Sequence, residues 1–421
     1  MPAHQTLQER YQAVRRFSEQ LCQPLQTDDY QIQSCLETSP PKWHLAHVSW
    51  FFETFLLRKH LANYRVFHPK FEVLFNSYYE TIGEFHPRSK RGLLARPTVE
   101  EVYAYRHAID DAMQQLFAQL EQQPNPELAF FIELGLNHEQ QHQELLLMDI
   151  KHNFSVNPLK PAYRSDLKQA SSNTQTAHLQ WFEQAAGVYE VGHDSAAGFA
   201  YDNESPRHKH YLHDFQLANR LVTNAEYLAF MADGAYQRPE LWLAEGWHHI
   251  HHKQKQQPLY WQKDGEQWLE FTLGGLRPLQ FDQPVCHINY YEADAFARWS
   301  GKRLPTEFEL EVVQAQQPLY GSFYGNFVDH DYLHPQAATV NQVQWVGDLW
   351  TWTSTAYHAY PRFKPLAGSA GEYNGKFMCK QMVLRGGSCV TMQDHFRASY
   401  RNFFYPHDRW QFSGIRLAAD A

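Results

Sequence analysis

The histidines in residues 137–144 are spaced as ligands of a metal ion would be. His138 and His142 are four residues apart in the run NHEQQHQE, so both imidazoles project from one face of a helix. Histidine is the commonest metal ligand in proteins. Glu144 lies about 240° around the same helix from His138 and points away from the pair. We therefore expect Glu144 to support the structure rather than to bind the metal.

A third ligand must come from another segment, and the run TSPPKWHLAHVSWFF offers two candidates. His44 and His47 lie on a predicted second helix, and a bundle core can direct side chains of facing helices at one ion. Their spacing alone does not separate them. The plainer alternative is that the pair on the other helix is polar surface, since two histidines at this spacing also arise by chance.

The same residues spell H-E-x-x-H, the signature of zinc metalloproteases in which the glutamate is the general base. The two glutamines between the ligands, the lack of a secretion signal and the lack of a downstream ligand at the usual spacing disfavour that interpretation. A zinc hydrolase is the second candidate.

The composition indicates a folded protein of two domains. The chain is 43% hydrophobic and 20% charged, which is typical of a globular protein. Its length of 421 residues exceeds what a single hydrophobic core usually organises. The net charge of −9 argues against nucleic acid as a partner. The chain has no apolar run long enough to span a membrane and no apolar signal core, and its cysteines fit no disulfide framework. We expect a cytoplasmic protein without membrane association.

Hydrophobic periodicity predicts four helices in residues 1–165 and hence an antiparallel bundle. A long segment, residues 64–96, interrupts the bundle, and connections of that length are often functional. The first predicted helix begins near Leu7, and the second runs from near Leu45, after Pro40–Pro41, to near His60. The third begins at Thr98, with Glu101 as its capping-box partner. The fourth follows Asn125–Pro126 and ends near Lys151.

The character of the chain changes after residue 165. Residues 165–180 are polar and predict a linker. Beyond them, strand-like runs such as GVYEVG and MVLRGGS alternate with loops rich in glycine, proline and aromatic residues, and short helices are predicted at 224–231 and 291–300. The predicted domains are therefore 1–165 and 166–421, and the fold class is α+β.

These motifs resemble those of the sulfoxide synthases of ergothioneine biosynthesis, the EgtB-type hercynine oxygenases. The resemblance implies a DinB-like four-helix bundle followed by a C-type-lectin-like domain of the formylglycine-generating-enzyme type. It assigns the metal ligands to His47, His138 and His142 and leaves the role of His44 open. The matching segments include WHLAH, FNSYY, RSKRGLLARPT, HEQQHQE, DNESPRH, VTNAEYLAF, PVCHINYYEADAFARWSGKRLPTEFELE, GEYNGKFM and YRNFFYPHDRWQFSGIRLA.

The resemblance implies Fe(II) as cofactor and hercynine, a thiol and O2 as substrates. Three imidazoles on Fe(II) leave three coordination positions, enough for one atom of each substrate. The expected product is a sulfoxide whose sulfur is bonded to C2 of the hercynine imidazole. Oxygen activation requires a proton donor, and the resemblance gives that role to Tyr78 or Tyr79 of FNSYY. Without the resemblance, simple packing of two adjacent aromatics would be the better interpretation.

Several residues are expected to contact the substrates. Arg88 and Arg91 suit the carboxylate of the thiol, although a solvated basic loop is the alternative. The resemblance implies that Gln141 and Asn402 contact hercynine. Asn402 is followed by Phe403 and Phe404, where the γ-glutamylcysteine-using branch has Trp-Asp, and the missing Asp removes an acceptor for the γ-glutamyl ammonium. This favours L-cysteine as the thiol donor, with the two phenylalanines lining the site.

Other chemistries stay open at this point. The same reaction could use γ-glutamylcysteine, histidine as in ovothiol-type synthases, or a selenium donor. Ovothiol synthases usually add a methyltransferase domain, for which these residues give no sign. A non-enzymatic binding module built on the lectin-like domain is a further class, and it would show no turnover.

Overall fold

The computed structural model describes residues 5–169, 177–316, 325–340 and 343–421. Residues 170–176 of the predicted linker lie outside the described residues. The chain forms two compact units, one of Met1–Tyr163 with Leu366–Tyr373 and one of Arg164–Pro365 with Asn374–Ala421. The first is helical and the second combines sheets with short helices, which confirms the predicted α+β class. None of the helices that the structure describes has the length and hydropathy of a membrane span.

Long helices build the first unit. The second helix packs against the fifth and sixth, and the first packs against the sixth, which gives the predicted bundle. A π-helical turn, Glu53–Leu57, joins the second helix to the third. The helices are α1 (Leu7–Cys22), α2 (Pro41–Phe52), α3 (Arg58–His60), α4 (Phe71–Phe75), α5 (Val99–Gln122) and α6 (Pro126–Ser155).

Local signals account for the helix starts. Thr98 caps α5 in a reciprocal capping box with Glu101, as predicted. Asn125 caps α6, and Pro126 occupies its first position. The helix α2 begins at Pro41, earlier than the predicted start near Leu45, because a proline in the first turn lacks only an N–H that the helix does not use.

A buried carboxylate ties α6 to α1 and α5. Glu139 accepts hydrogen bonds from Arg106 Nη2 at 2.5 Å, Arg15 Nη1 at 3.1 Å and Ser18 Oγ at 2.6 Å. Burial raises the pKa of Glu139, but the guanidinium groups of Arg106 and Arg15 outweigh it and lower that pKa to about 2. The carboxylate is therefore ionised and fully engaged in holding the three helices together.

The segment between α3 and α5 is anchored at its start by another buried carboxylate. Glu53 accepts hydrogen bonds from the Tyr64 hydroxyl at 2.7 Å, from Phe67 N at 2.9 Å and from the Tyr105 hydroxyl on α5 at 2.6 Å. The segment contains α4 and a 3-10 turn at Arg88–Leu93. It is thus an ordered insertion rather than a loose connection.

A short piece from late in the chain completes the first unit. The Glu372 carboxylate accepts hydrogen bonds from the backbone N–H groups of Glu80 and Thr81, both at 3.1 Å. Leu366–Tyr373 is thereby attached to the insertion, and it forms part of the helical unit.

Antiparallel pairing dominates the second unit. The strands are β1 (Trp181–Gln184), β2 (Gly187–Val191), β3 (His208–Leu212), β4 (Phe215–Ala218), β5 (Trp261–Asp264), β6 (Gln267–Thr272), β7 (Gly275–Pro278), β8 (Trp350–Ala356), β9 (Met382–Arg385), β10 (Asn402–Phe404), β11 (Ser413–Gly414) and β12 (Ala418–Asp420). They form sheets with the orders β1-β4-β12, β10-β9-β8-β11, β2-β3 and β5-β6-β7, in which β11 is parallel to β8.

The predicted elements of this unit are confirmed, and others were missed. GVYEVG contains β2 and MVLRGGS contains β9. The helices of this unit are α7 (Asn224–Ala232), α8 (Ala244–His252), α9 (Tyr290–Trp299) and α10 (Glu307–Ala315). The sequence did not predict α8 and α10, although Thr306 and Glu309 form a capping box at the start of α10.

Buried ion pairs hold α10 to the neighbouring strands. The Glu307 carboxylate accepts from Arg385 Nη2 at 2.8 Å and from Arg401 Nε at 2.8 Å. Arg401 immediately precedes β10, so this contact positions the strand that carries Asn402 and Phe403.

The helices α2 and α6 approach each other closely at Gly135. A Cβ atom at this position would lie 2.6 Å from Cε1 of Phe52 and 3.1 Å from Cε1 of Phe51. No side chain larger than hydrogen fits there without displacing the two rings. Because His47 lies on α2 and His138 on α6, this contact sets the spacing of the helices that carry them.

We predict that Gly135→Ala lowers the free energy of unfolding by about 1–2 kcal/mol, since overpacking outweighs the gain in helix propensity. Chemical denaturation of the metal-free protein measures the change. Gln119→Ala, on an exposed part of α5, is the control and should change stability by less than about 0.5 kcal/mol. A Gly135→Ala protein as stable as its parent would contradict this account of the helix contact.

Candidate metal centre

Three histidines converge in the core of the first unit. One ligand atom each from His47, His138 and His142 lies within 4.8 Å of the others, a spacing that could hold a metal ion. His47 Nε2 is 3.2 Å from His138 Nε2. Two nitrogens bound to one ion at about 2.1 Å lie at about this separation. The structure thus brings together one imidazole from α2 and two from one face of α6.

These imidazoles are neutral at physiological pH. Burial lowers the pKa of His138 to about 3. Burial also lowers the pKa of His47 and His142 well below the ordinary value, and repulsion from the neighbouring histidines acts in the same direction. Because the neutral ring is the form that binds a metal, the three residues are ready ligands without losing a proton.

Hydrogen bonds orient two of the three rings. His47 Nδ1 lies 2.6 Å from the Phe75 carbonyl oxygen, to which it donates, and this leaves Nε2 as the ligand atom. His142 Nδ1 lies 2.9 Å from Nδ1 of His44. His138 Nδ1 is buried and has no hydrogen-bond partner among the described residues. Three neutral nitrogen donors, two of them oriented by hydrogen bonds, fit a divalent transition metal.

Glu139, the glutamate of H-E-x-x-H, is not available as a general base. Its carboxylate is held by Arg15, Arg106 and Ser18, and its pKa is about 2. A base that activates water near neutral pH requires a much higher pKa. This arrangement argues against a zinc hydrolase. Glu144 is buried and is not part of the ligand group, in line with its predicted orientation.

The two predicted substrate-binding arginines have different surroundings. Arg88 is exposed and donates to the Glu37 carbonyl oxygen. Arg91 is only 3% exposed, and its guanidinium carbon lies 3.3 Å from the centre of the Trp43 ring. The Trp43 ring in turn stacks on the His47 ring, with centroids 4.5 Å apart. Arg91 therefore lies one aromatic ring away from a candidate metal ligand, whereas Arg88 is at the surface.

Arg91 is an unusual buried cation. Its Nη1 donates to Ser39 Oγ at 2.9 Å, and its Nε is buried without a hydrogen-bond partner among the described residues. Burial, followed by repulsion from Arg88, lowers the pKa of Arg91 well below its usual value. An anion bound here would stabilise the charged form.

The two predicted catalytic tyrosines are also placed differently. The ring of Tyr79 is fully buried and packs against Trp50 and Phe55, with centroids 5.7 and 5.2 Å away. Tyr78 is half-buried, and its ring lies 4.7 Å from that of Tyr79.

Tyr373 is a neighbour of the site that the sequence interpretation missed. Its ring lies 5.5 Å from the His138 ring and 6.3 Å from the Tyr78 ring. The run GEYNGKFM carried the family resemblance, but nothing in its spacing indicates that it joins the helical unit. The hydrogen bonds of Glu372, the residue before it, are what attach it there.

The predicted hercynine contacts fall in both units. Gln141 is half-buried on α6, next to His142. Asn402, Phe403 and Phe404 form β10 in the second unit. The Phe403 ring stacks on the Tyr357 ring, with centroids 4.1 Å apart, and the centroids of Phe404 and Trp410 are 5.5 Å apart. Asn402 Oδ1 accepts a hydrogen bond from Phe403 N at 2.9 Å.

Comparison with known protein families assigns both parts of the chain. Residues 10–146 match the DinB superfamily, and residues 168–343 and 332–421 match the Sulfatase-modifying factor enzyme 1-like domain. The second match alone covers more than half of the chain.

Two relatives match nearly the whole chain. The chain is 30% identical over 411 residues to the hercynine oxygenase of Mycolicibacterium thermoresistibile, covering 91% of this chain and 87% of that one. It is 28% identical over 413 residues to the hercynine oxygenase of Mycolicibacterium smegmatis, covering 91% of each. The formylglycine-generating enzyme of Streptomyces coelicolor is 25% identical over 283 residues, covering 56% of this chain and 87% of that one.

The match to the formylglycine-generating enzyme covers little more than half of the chain, whereas the hercynine oxygenases match across both units, including the one that holds the three histidines. The chain therefore belongs to the hercynine oxygenase family, the oxidoreductases that act as sulfoxide synthases in ergothioneine biosynthesis.

Proposed function

We propose that this enzyme uses one Fe(II), held by His47, His138 and His142, to join L-cysteine to C2 of the hercynine imidazole with O2 as oxidant. The product is hercynylcysteine sulfoxide. One C–H and one S–H bond break, one C–S and one S–O bond form, and the second oxygen atom leaves as water. The observation that carries the proposal is the convergence of three neutral imidazoles, two buried and one half-buried, in a hercynine oxygenase.

The ligand set supports iron as the metal. Bound Fe(II) would supply a centre that reacts with O2 and favours the thiolate form of the sulfur substrate. Three imidazoles occupy only part of the coordination sphere of such an ion, which leaves room for the substrates. Neighbouring groups fix the orientation of two of these rings, because the Phe75 carbonyl oxygen restricts rotation of His47 and the His44 ring restricts rotation of His142.

Arg91 supports a carboxylate-bearing thiol as the second substrate. A guanidinium that is buried, with a donor unused among the described residues, is stabilised by an anionic partner. Its guanidinium packs on Trp43, which stacks on His47, so a carboxylate bound to Arg91 would lie on the same side of the site as His47. Cysteine carries both a carboxylate for Arg91 and a thiol for the metal. The Phe403–Phe404 pair, which replaces the Trp-Asp of the γ-glutamylcysteine-using branch, also favours free cysteine.

Tyr78 is our preferred proton donor, with Tyr373 as a further candidate. The ring of Tyr373 lies beside both His138 and Tyr78, so a hydroxyl on this side of the ligands could hold or release a proton. Tyr79 is fully buried between Trp50 and Phe55, and this packing favours a structural role.

The remaining assignments rest on the family motifs. We propose that Gln141, Asn402 and Phe403 contact hercynine, with Phe404 lining the site, and that Arg88 assists in attracting the thiol carboxylate. We also propose a cytoplasmic location, where a reduced thiol substrate would be available.

The proposed reaction predicts an O2-dependent product from two defined substrates. Fe(II)-loaded protein incubated in air with hercynine and cysteine should form hercynylcysteine sulfoxide, detected by mass spectrometry. Zinc-loaded protein and anaerobic samples are the controls and should form none. Parallel reactions with γ-glutamylcysteine in place of cysteine, and histidine in place of hercynine, test the substrates. A strong preference for γ-glutamylcysteine would overturn the assignment of the thiol.

Arg91→Met should raise the KM for cysteine about 10- to 100-fold, because a charge-assisted bond to the carboxylate is lost. The KM for hercynine should change far less. Arg96→Met is the matched control, since Arg96 is an exposed arginine of the same insertion that donates to the Ala95 carbonyl oxygen. Steady-state kinetics with one substrate varied at a time provide the measurement. An unchanged KM for cysteine in Arg91→Met would refute the carboxylate site.

Tyr78→Phe should lower the rate of sulfoxide formation about 100-fold, which is the usual scale of a lost general acid, while metal binding is retained. Tyr373→Phe and Tyr79→Phe, assayed beside it, identify which hydroxyl matters. Tyr103→Phe is the control, because that hydroxyl bonds to Tyr30. Full activity in all three variants would mean that the proton comes from another group.

A further inference from the structure

A buried chain of hydrogen bonds leads away from His142. His142 Nδ1 lies 2.9 Å from His44 Nδ1, and His44 Nε2 lies 3.0 Å from Asp149 Oδ2. The same carboxylate oxygen accepts from the backbone N–H of Ser39 at 2.7 Å. His44 is 4% exposed and Asp149 is 1% exposed. We call His44 and Asp149 the support pair.

Hydrogen-bond chemistry allows one arrangement of protons along this chain if His142 is a ligand. His142 must offer the lone pair of Nε2, so its Nδ1 carries the proton. His44 Nδ1 then accepts that hydrogen bond, and the proton of a neutral His44 is on Nε2. Asp149 as a carboxylate is an acceptor, which suits a donating His44 Nε2. The position of the proton on His142 therefore fixes its position on His44, and a donating His44 matches an ionised Asp149.

The support of the three ligands is unequal. His47 donates to a neutral backbone carbonyl, and His138 Nδ1 has no partner among the described residues. Only His142 of these three is linked through a second ring to a carboxylate. Negative charge placed behind an imidazole raises its basicity as a ligand and restricts its rotation.

We propose that His44 and Asp149 are positioning residues that hold His142 as the Nδ1–H tautomer, with its Nε2 directed at the metal. The inference rests on the metal centre of the proposed function and extends it to residues that touch neither metal nor substrate. It also gives His44 a role that the sequence left open, since His44 acts on a ligand rather than as one.

Replacing the His44 imidazole by a ring that has no nitrogens tests the support pair. His44→Phe keeps an aromatic ring but removes the acceptor and the donor, and it should weaken binding of Co(II), used as an O2-stable probe, about 10- to 100-fold. His44→Gln carries an amide acceptor and donor at a similar separation and should restore most of that loss. His152→Phe is the control, because His152 lies on α6, the helix that carries His142, and bonds to Ser34. Competition titration with a chelator of known affinity gives the constants.

Nitrogen-15 NMR of the imidazoles provides a second readout on the metal-free parent, independent of turnover and of whether a variant folds. We expect His142 as the Nδ1–H tautomer and His44 as the Nε2–H tautomer. An Nε2–H tautomer at His142, or Co(II) binding by a folded His44→Phe protein as tight as that of the parent, would overturn the inference. The expected tautomers and the loss of affinity would support it even if no sulfoxide formed, and that result would instead contradict the proposed function.

Discussion

The packing of α2 against α6 is the constraint on which the candidate metal centre depends. The two helices contribute one and two imidazoles, and Gly135 lets the backbone of α6 approach Phe51 and Phe52 on α2. Every residue of α2 from Pro41 to Phe52 is buried, so the helix has no solvent-facing side on which to adjust. Burial has a chemical consequence as well, because it keeps the imidazoles neutral and ready to bind a metal.

The bundle treats its buried charges in two ways. Glu139 is paired with Arg15 and Arg106, so its charge is neutralised inside the protein and serves only cohesion. Arg91 is equally buried, but its direct contacts are the Ser39 hydroxyl and the Trp43 ring, and the Asp149 carboxylate attracts it without forming an ion pair. A paired charge favours a stable core, whereas a buried cation without a direct ion pair favours an incoming anion. This contrast supports the proposal that Glu139 is structural and that Arg91 binds substrate.

The sequence predicted those features that depend on short stretches of chain. The capping boxes and prolines located the starts of α5 and α6, and helical periodicity placed His138 and His142 on one face. Periodicity did not choose between His44 and His47, because both lie on a helix that is buried all round, and the family resemblance was needed. The different burial of Arg88 and Arg91 and the proximity of Tyr373 arise from contacts between distant segments, which no local pattern encodes.

The attachment of Leu366–Tyr373 to the insertion has a consequence for how the protein is made. The histidines of the first unit leave the ribosome early, and the bundle around them can form from contiguous chain. Tyr373 is synthesised only after most of the other unit. The three candidate ligands of the proposed iron site could therefore come together in the nascent protein before one of their aromatic neighbours is synthesised. A fragment that ends at residue 163 would carry the ligands with that flank open to water.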